Sequence, residues 1–207
     1  YFDTVEFVTP VCDGDNLPPK SSEVPLPFWT DGKYYLYYSN AGDDTGVAVS
    51  DRPDGPFVDA RGKTPILPKG ITPTNSYDPD IILPDEDDPN AYILFGSDWT
   101  DHYWAMQLKE NMVEIEPDSV VDSLTIAEHE FHEGSSVKKI NGKYYYLFAD
   151  THRHGDPNRP DGRPSCLGYA VSDHPMHGFK YGGIVIDNFG CDPASWNNHG
   201  SMEYFDG

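Results

Sequence analysis

His132-Glu133-Gly134-Ser135-Ser136-Val137-Lys138-Lys139-Ile140-Asn141-Gly142-Lys143-Tyr144-Tyr145-Tyr146-Leu147-Phe148-Ala149-Asp150 is the stretch whose reading decides the fold. It opens on polar residues, runs through a short strand-like segment, and turns at Asn141-Gly142 into a strongly aromatic segment. Asn and Gly both accept the positive φ that a two-residue hairpin turn demands, so the stretch predicts a β-hairpin. Glu133 stands at the mouth of its first strand.

The same order recurs on both sides. Upstream, Glu23-Val24-Pro25-Leu26-Pro27-Phe28-Trp29 leads into an Asp31-Gly32 turn, followed by strand-like runs at 33–39 and 46–50 and a short one at Phe57-Val58. A second unit opens at Asp78-Pro79-Asp80-Ile81-Ile82-Leu83, turns through the acidic residues 85–90, and continues at 91–97, 103–108 and Val113-Glu114-Ile115. The unit of the opening stretch continues at 166–172 and 179–186, and a further one starts at His199-Gly200-Ser201-Met202-Glu203. Ala170-Val171-Ser172-Asp173-His174-Pro175 echoes Ala48-Val49-Ser50-Asp51-Arg52-Pro53.

The unit starts Glu23, Asp78, Glu133 and His199 lie 55, 55 and 66 residues apart. Four short strands at such a period are the signature of a β-propeller, in which each unit is one blade. The expectation is therefore all-β: four-stranded antiparallel blades over 23–77, 78–132 and 133–198, with 199–207 beginning another blade. Residues 1–22 read as the remnant of a preceding blade and its loop, with a possible strand over 1–8. About three blades are complete, so the chain reads as one piece of a longer propeller. No segment carries the periodicity of a long amphipathic helix, which argues against an α/β fold.

Composition agrees. Hydrophobic residues make up only 37% of the 207, but 14% are aromatic, and Tyr and Phe can build the core where aliphatic residues are scarce. The nineteen Gly and nineteen Pro suit a chain that turns often. A formal net charge of -21 argues against nucleic acid or an anionic membrane surface as partner, since those are met by Lys and Arg. No apolar run approaches the roughly 20 residues of a membrane-spanning helix. Cys12, Cys166 and Cys191 show no zinc spacing and no Cys-x-x-Cys, and one disulfide among them stays open. The chain begins at Tyr1 with neither Met nor a secretory signal, and its compartment is not legible.

In a propeller the first strand of each blade lines the central axis, and the blade openings gather at one end. Glu23, Asp78, Glu133 and His199 share one phase and are expected to converge there, although no two are close in sequence. Convergent carboxyl groups suit glycoside hydrolysis, where one acid donates a proton to the leaving oxygen and another activates water or attacks. Trp99 and Phe131 are candidates for stacking on a sugar ring, with a place in the core as the competing reading.

Asp78-Pro79-Asp80-Ile81, Glu133-Gly134-Ser135-Ser136 followed by Asn141-Gly142-Lys143-Tyr144-Tyr145, and Asn197-Asn198-His199-Gly200-Ser201 together resemble glycoside hydrolase family 43, from about Glu23 to the C-terminus. The resemblance implies a five-bladed parent propeller that releases arabinose or xylose from plant glycans, by inversion. By it, Glu133 matches the general acid, and Asp78 the acid that orients it and tunes its proton affinity. Asp80 is the alternative to Asp78 on the same strand. Glu23 resembles a substrate-binding residue of the pocket, and His199 the axial histidine near a bound cation, often calcium. The family's general base is an Asp of the first blade, and no position here matches it. The resemblance thus implies that this chain alone is inactive or severely impaired. Two other functions stay open: a non-catalytic carbohydrate-binding or interaction propeller, and a related five-bladed fructosidase or glycan phosphorylase.

Overall fold

Both Asx-Gly turns form. Asp31 and Gly32 take φ of 50° and 75°, and Asn141 and Gly142 take 51° and 76°. This is the left-handed pair that a tight hairpin needs and that these residue types supply at least cost. The turns belong to a computed structural model that describes residues 4–5, 28–40, 44–96, 102–125, 131–150, 166–187 and 199–202. Its strands are β1 (Thr4–Val5), β2 (Phe28–Thr30), β3 (Lys33–Asn40), β4 (Asp44–Ser50), β5 (Phe57–Asp59), β6 (Asp80–Ile82), β7 (Ala91–Phe95), β8 (His102–Leu108), β9 (Val121–Thr125), β10 (Phe131–Ile140), β11 (Lys143–Asp150), β12 (Cys166–Ser172) and β13 (Lys180–Asp187). No helix occurs among the described residues.

The strands make three antiparallel sheets, ordered β1-β5-β4-β3-β2, β6-β7-β8-β9 and β10-β11-β12-β13. Within each sheet, strands that follow one another in the chain lie side by side, as short turns require. The exception is β1, which adds to the far side of β5 through Thr4 opposite Val58 and Val5 opposite Phe57. One expectation fails. Val113-Glu114-Ile115 is not the last strand of the second sheet; that strand is β9. Residues 109–119 instead form an excursion in which Ile115 makes an isolated bridge to Leu108, and the Lys109 N–H donates to the Glu114 carbonyl at 2.8 Å. Residues 113–115 alternate like a strand because they line this excursion, and the sheet edge is filled further on.

Alternation on the strands explains how the sheets pack. All five residues of β7 are buried. Ala91, Ile93 and Phe95 point into a core shared with Tyr35, Tyr37, Val47, Ile66 and Leu67 on the side of the first sheet. Tyr92 and Leu94 point the other way, into a core shared with Phe131, Val137, Tyr146 and Phe148 of the third. The middle sheet is thus sandwiched on both faces, and a strand in that position has no polar side to show. This blade-on-blade stacking is that of a β-propeller.

Aromatic rings make up much of the second interface. Tyr103 and Tyr146 stack with centroids 4.2 Å apart, and Phe179 meets both edge-on at 5.7 and 5.8 Å. At the hairpin ends of the same two sheets, Lys139 Nζ lies 2.8 Å from Asp85 and 3.0 Å from Asp87. Cys166 is buried and its Sγ donates to Asp187 Oδ1 at 3.5 Å; Cys12 and Cys191 lie outside the described residues.

Candidate active site

The inner strands β6 and β10 lie beside one another at the join of the second and third sheets. Asp78, two residues ahead of β6, has φ of 48°, a conformation that Asp tolerates better than most residues. Its backbone N–H donates to Ser39 Oγ at 3.0 Å, tying the turn to the end of β3 in the first sheet. Its Oδ2 accepts from the Gly134 N–H at 3.0 Å, reaching into the third sheet. Asp78 therefore touches elements of all three sheets.

Glu133 owes its aim to irregular pairing. The register of β10 against β11 slips between Phe131 and Glu133 and again between Glu133 and Ser136, so a bulge stands on either side of it. Bulges re-aim side chains that a regular ladder would send elsewhere. The Oε1 of Glu133 lies 3.3 Å from Nε2 of His199. His199 is held from behind. The Met202 N–H donates to Ser136 Oγ at 3.4 Å, and Gly200 sits so close to Leu167 and Leu147 that an added Cβ would lie 2.8 and 3.3 Å from them.

Asp78, Glu133 and His199 thus present one donor atom each, all within 4.8 Å of one another. Some 20% of the His199 side chain and 18% of the Glu133 side chain remain exposed, so both are largely desolvated yet open to a ligand. Beneath them Tyr146 is buried, and its hydroxyl pairs with Ser135 Oγ at 2.8 Å. Burial pushes this phenol well above its ordinary range, the Ser135 bond opposes the shift, and the Asp78 and Asp80 charges add to it. Tyr146 stays neutral and supports the floor.

Gly134 is a position where only glycine fits. Its φ is 77°, and an added Cβ would lie 2.9 Å from Cδ2 of His199. Gly134→Ala is expected to lose about 1–2 kcal/mol of stability from the left-handed backbone and to push His199 off Glu133. Denaturant unfolding together with turnover checks this, and wild-type values for both would contradict the packing described.

Of the six site residues expected from sequence, the structure brings three together. Glu23 and Trp99 lie outside the described residues. Phe131 is a correction. Its ring is 0% exposed and packs on Tyr103, Tyr146 and Phe148 between the second and third sheets, out of reach of any sugar. Sequence reasoning missed Ser39, because nothing at the end of an aromatic strand marks it as a partner of a residue in the next unit. It set Asp80 beside Asp78 as an alternative. The two part company, with Asp80 buried against the Val137 backbone and Asp78 in the open cluster.

Residues 28–200 match the model of the family described as glycosyl hydrolases family 43. The chain belongs to this family. It is 32% identical over 173 residues to an arabinoxylan arabinofuranohydrolase of Bacillus subtilis, covering 77% of this chain and 33% of that protein. It is 30% identical to a beta-xylosidase of Xylanibacter ruminicola, covering 86% of this chain and 60% of that one. Among solved structures, an alpha-L-arabinofuranosidase from Clostridium thermocellum superposes with a TM-score of 0.70 at 30% identity, covering 88% of this chain and 58% of that one. This family 43 chain thus spans a third to three-fifths of the length of these relatives. The fold is that of the family's propellers, and the three converging residues come from the motifs that resemble it.

The donor set can be weighed against a calcium ion. Calcium takes six to eight oxygen ligands. Asp78, Glu133 and His199 offer two carboxylate oxygens and one nitrogen, and that nitrogen already faces Glu133 at 3.3 Å. These residues alone do not fit calcium.

Proposed function

We propose that this chain is part of a glycoside hydrolase that releases arabinose or xylose from plant cell-wall glycans, with Glu133 as the general acid. The observation that carries the reading is the meeting of Asp78, Glu133 and His199 within 4.8 Å in a partly open cluster. Glu133 gives its proton to the departing glycosidic oxygen. Asp78 holds the Gly134 backbone and so fixes where the neighbouring carboxyl stands. His199 holds that carboxyl from the other side. The relatives named as an arabinofuranohydrolase and a xylosidase support the choice of sugar.

The separation of the carboxyl groups bears on stereochemistry. An inverting pair stands roughly 6.5–9.5 Å apart, to leave room for a water, and a retaining pair about 5–5.5 Å. One carboxylate oxygen of Asp78 and one of Glu133 lie within 4.8 Å of each other, short of the span that an inverting pair leaves for the sugar and its attacking water. On the inverting reading Asp78 is therefore not the base, and a different carboxylate of the full-length protein activates water. The competing reading makes Asp78 the nucleophile of a retaining enzyme. Assay of the full-length protein on aryl arabinofuranosides and xylosides, with NMR of the first-formed sugar, separates them. Inverted anomer is expected. Retained anomer would transfer the nucleophile's role to Asp78, and failure to cleave any of these glycosides would favour a non-catalytic glycan-binding propeller.

A further inference from the structure

Among the described strands β10 pairs with β11 alone, and it lies beside β6 of the neighbouring sheet. The two strands lie side by side without a ladder between them. Two carboxylates cross the gap. Asp78 Oδ2 accepts from the Gly134 N–H at 3.0 Å, and Asp80 Oδ2 accepts from the Val137 N–H at 2.5 Å. They stand two residues apart on one side and receive N–H groups three residues apart on the other, spanning the second bulge. Carboxylate oxygens take the place that a neighbouring strand's carbonyls would fill in a continuous sheet.

Asp80 is suited to be the fixed end of such a clamp. Its backbone is in register with Leu94, its Oδ1 accepts from the Ile81 N–H at 2.9 Å, and the residue is only 9% exposed. Burying a carboxylate is costly unless it is hydrogen-bonded, and an aliphatic residue here would fill the space without that cost. Glu133, by contrast, sits where the β10 ladder is interrupted on both sides and beside a glycine at φ of 77°. Its own sheet does not hold that stretch rigidly.

We propose that Asp80 is a positioning residue for Glu133: by holding β10 at Val137 while Asp78 holds it at Gly134, it sets where the acid's carboxyl stands relative to Asp78 and His199. The proposal rests on the glycosidase reading above for its effect on turnover, and on hydrogen bonding alone for the clamp.

Asp80→Asn in the full-length protein is the decisive variant. Asn keeps the shape, but Ile81 and Val137 bond to separate oxygens of Asp80, so one of those N–H groups meets the amide NH2 as a second donor. A displaced catalytic group costs on the order of 10²-fold in rate. The expected result is a loss of about that size in kcat on glycosides with poor leaving groups, with KM nearly unchanged and a much smaller loss on activated aryl glycosides. Amide hydrogen exchange should quicken at Gly134 and Val137 while the β11–β12 amides stay protected. A variant that melts earlier but keeps the wild-type ratio of poor to activated substrates would overturn the positioning role. Rapid exchange of the Val137 amide in the wild type would overturn the clamp with no variant needed. An inactive wild type whose exchange at Gly134 and Val137 responds to Asp80→Asn would retain the clamp and sink the glycosidase reading instead.

Discussion

Glu133→Gln in the full-length protein is expected to lower kcat about 10²–10⁴-fold on glycosides with poor leaving groups, the range that a positioned proton donor supplies. The loss on activated aryl glycosides should be far smaller, because a good leaving group departs without a proton. Gln keeps the length of the side chain and an oxygen that can face His199, so the 3.3 Å approach and the fold are expected to survive. The measurement is a comparison of kcat across aryl glycosides of graded leaving-group ability. An equal loss on every substrate would mean that Glu133 binds or orients the sugar and is not its acid.

Phe131→Ala should have the largest effect on stability. The ring is 0% exposed, with Phe148 at 5.7 Å, Tyr146 at 6.0 Å and Tyr103 at 6.1 Å between centroids. Emptying such a site costs about 3–5 kcal/mol. At about 2–4 °C per kcal/mol for a domain of this size, the melting temperature should fall by roughly 6–20 °C. The residual enzyme should keep its KM, because the ring faces the neighbouring sheet. A raised KM with an unchanged melting temperature would return Phe131 to the sugar-stacking role that its place in the sequence suggests.

That reversal shows where sequence reasoning runs out. The hairpins at Asp31-Gly32 and Asn141-Gly142 were legible because the chemistry of a tight turn is local. The convergence of Asp78, Glu133 and His199 was legible because a repeat fixes which residues share a phase. What lies between repeats was not. Phe131 is one of several aromatic residues at strand ends, and two bulges that change the facing of its strand leave no mark in the residue types. Asp80 alternates toward the side of Asp78 and, like it, accepts a backbone N–H of the next sheet, and nothing in the residue types says which of the two stands in the open cluster. Val113-Glu114-Ile115 has the residues of a strand and lines an excursion. For Phe131 and Asp80 the deciding interaction joins segments that local pattern cannot relate.

The placement of β1 bears on how the molecule is assembled. Every other described strand pairs with its neighbour in the chain, so each sheet can close soon after its residues are available, at little cost in loop entropy. β1 precedes its sheet in the chain yet must wait for β5, the last of that sheet's strands to be made. Once docked it covers the outer rim of β5, which would otherwise offer unpaired N–H and C=O groups to any passing chain. The first sheet thus folds by local steps and is sealed by a distant one, and until that seal is set the rim of β5 stays open to a wrong neighbour.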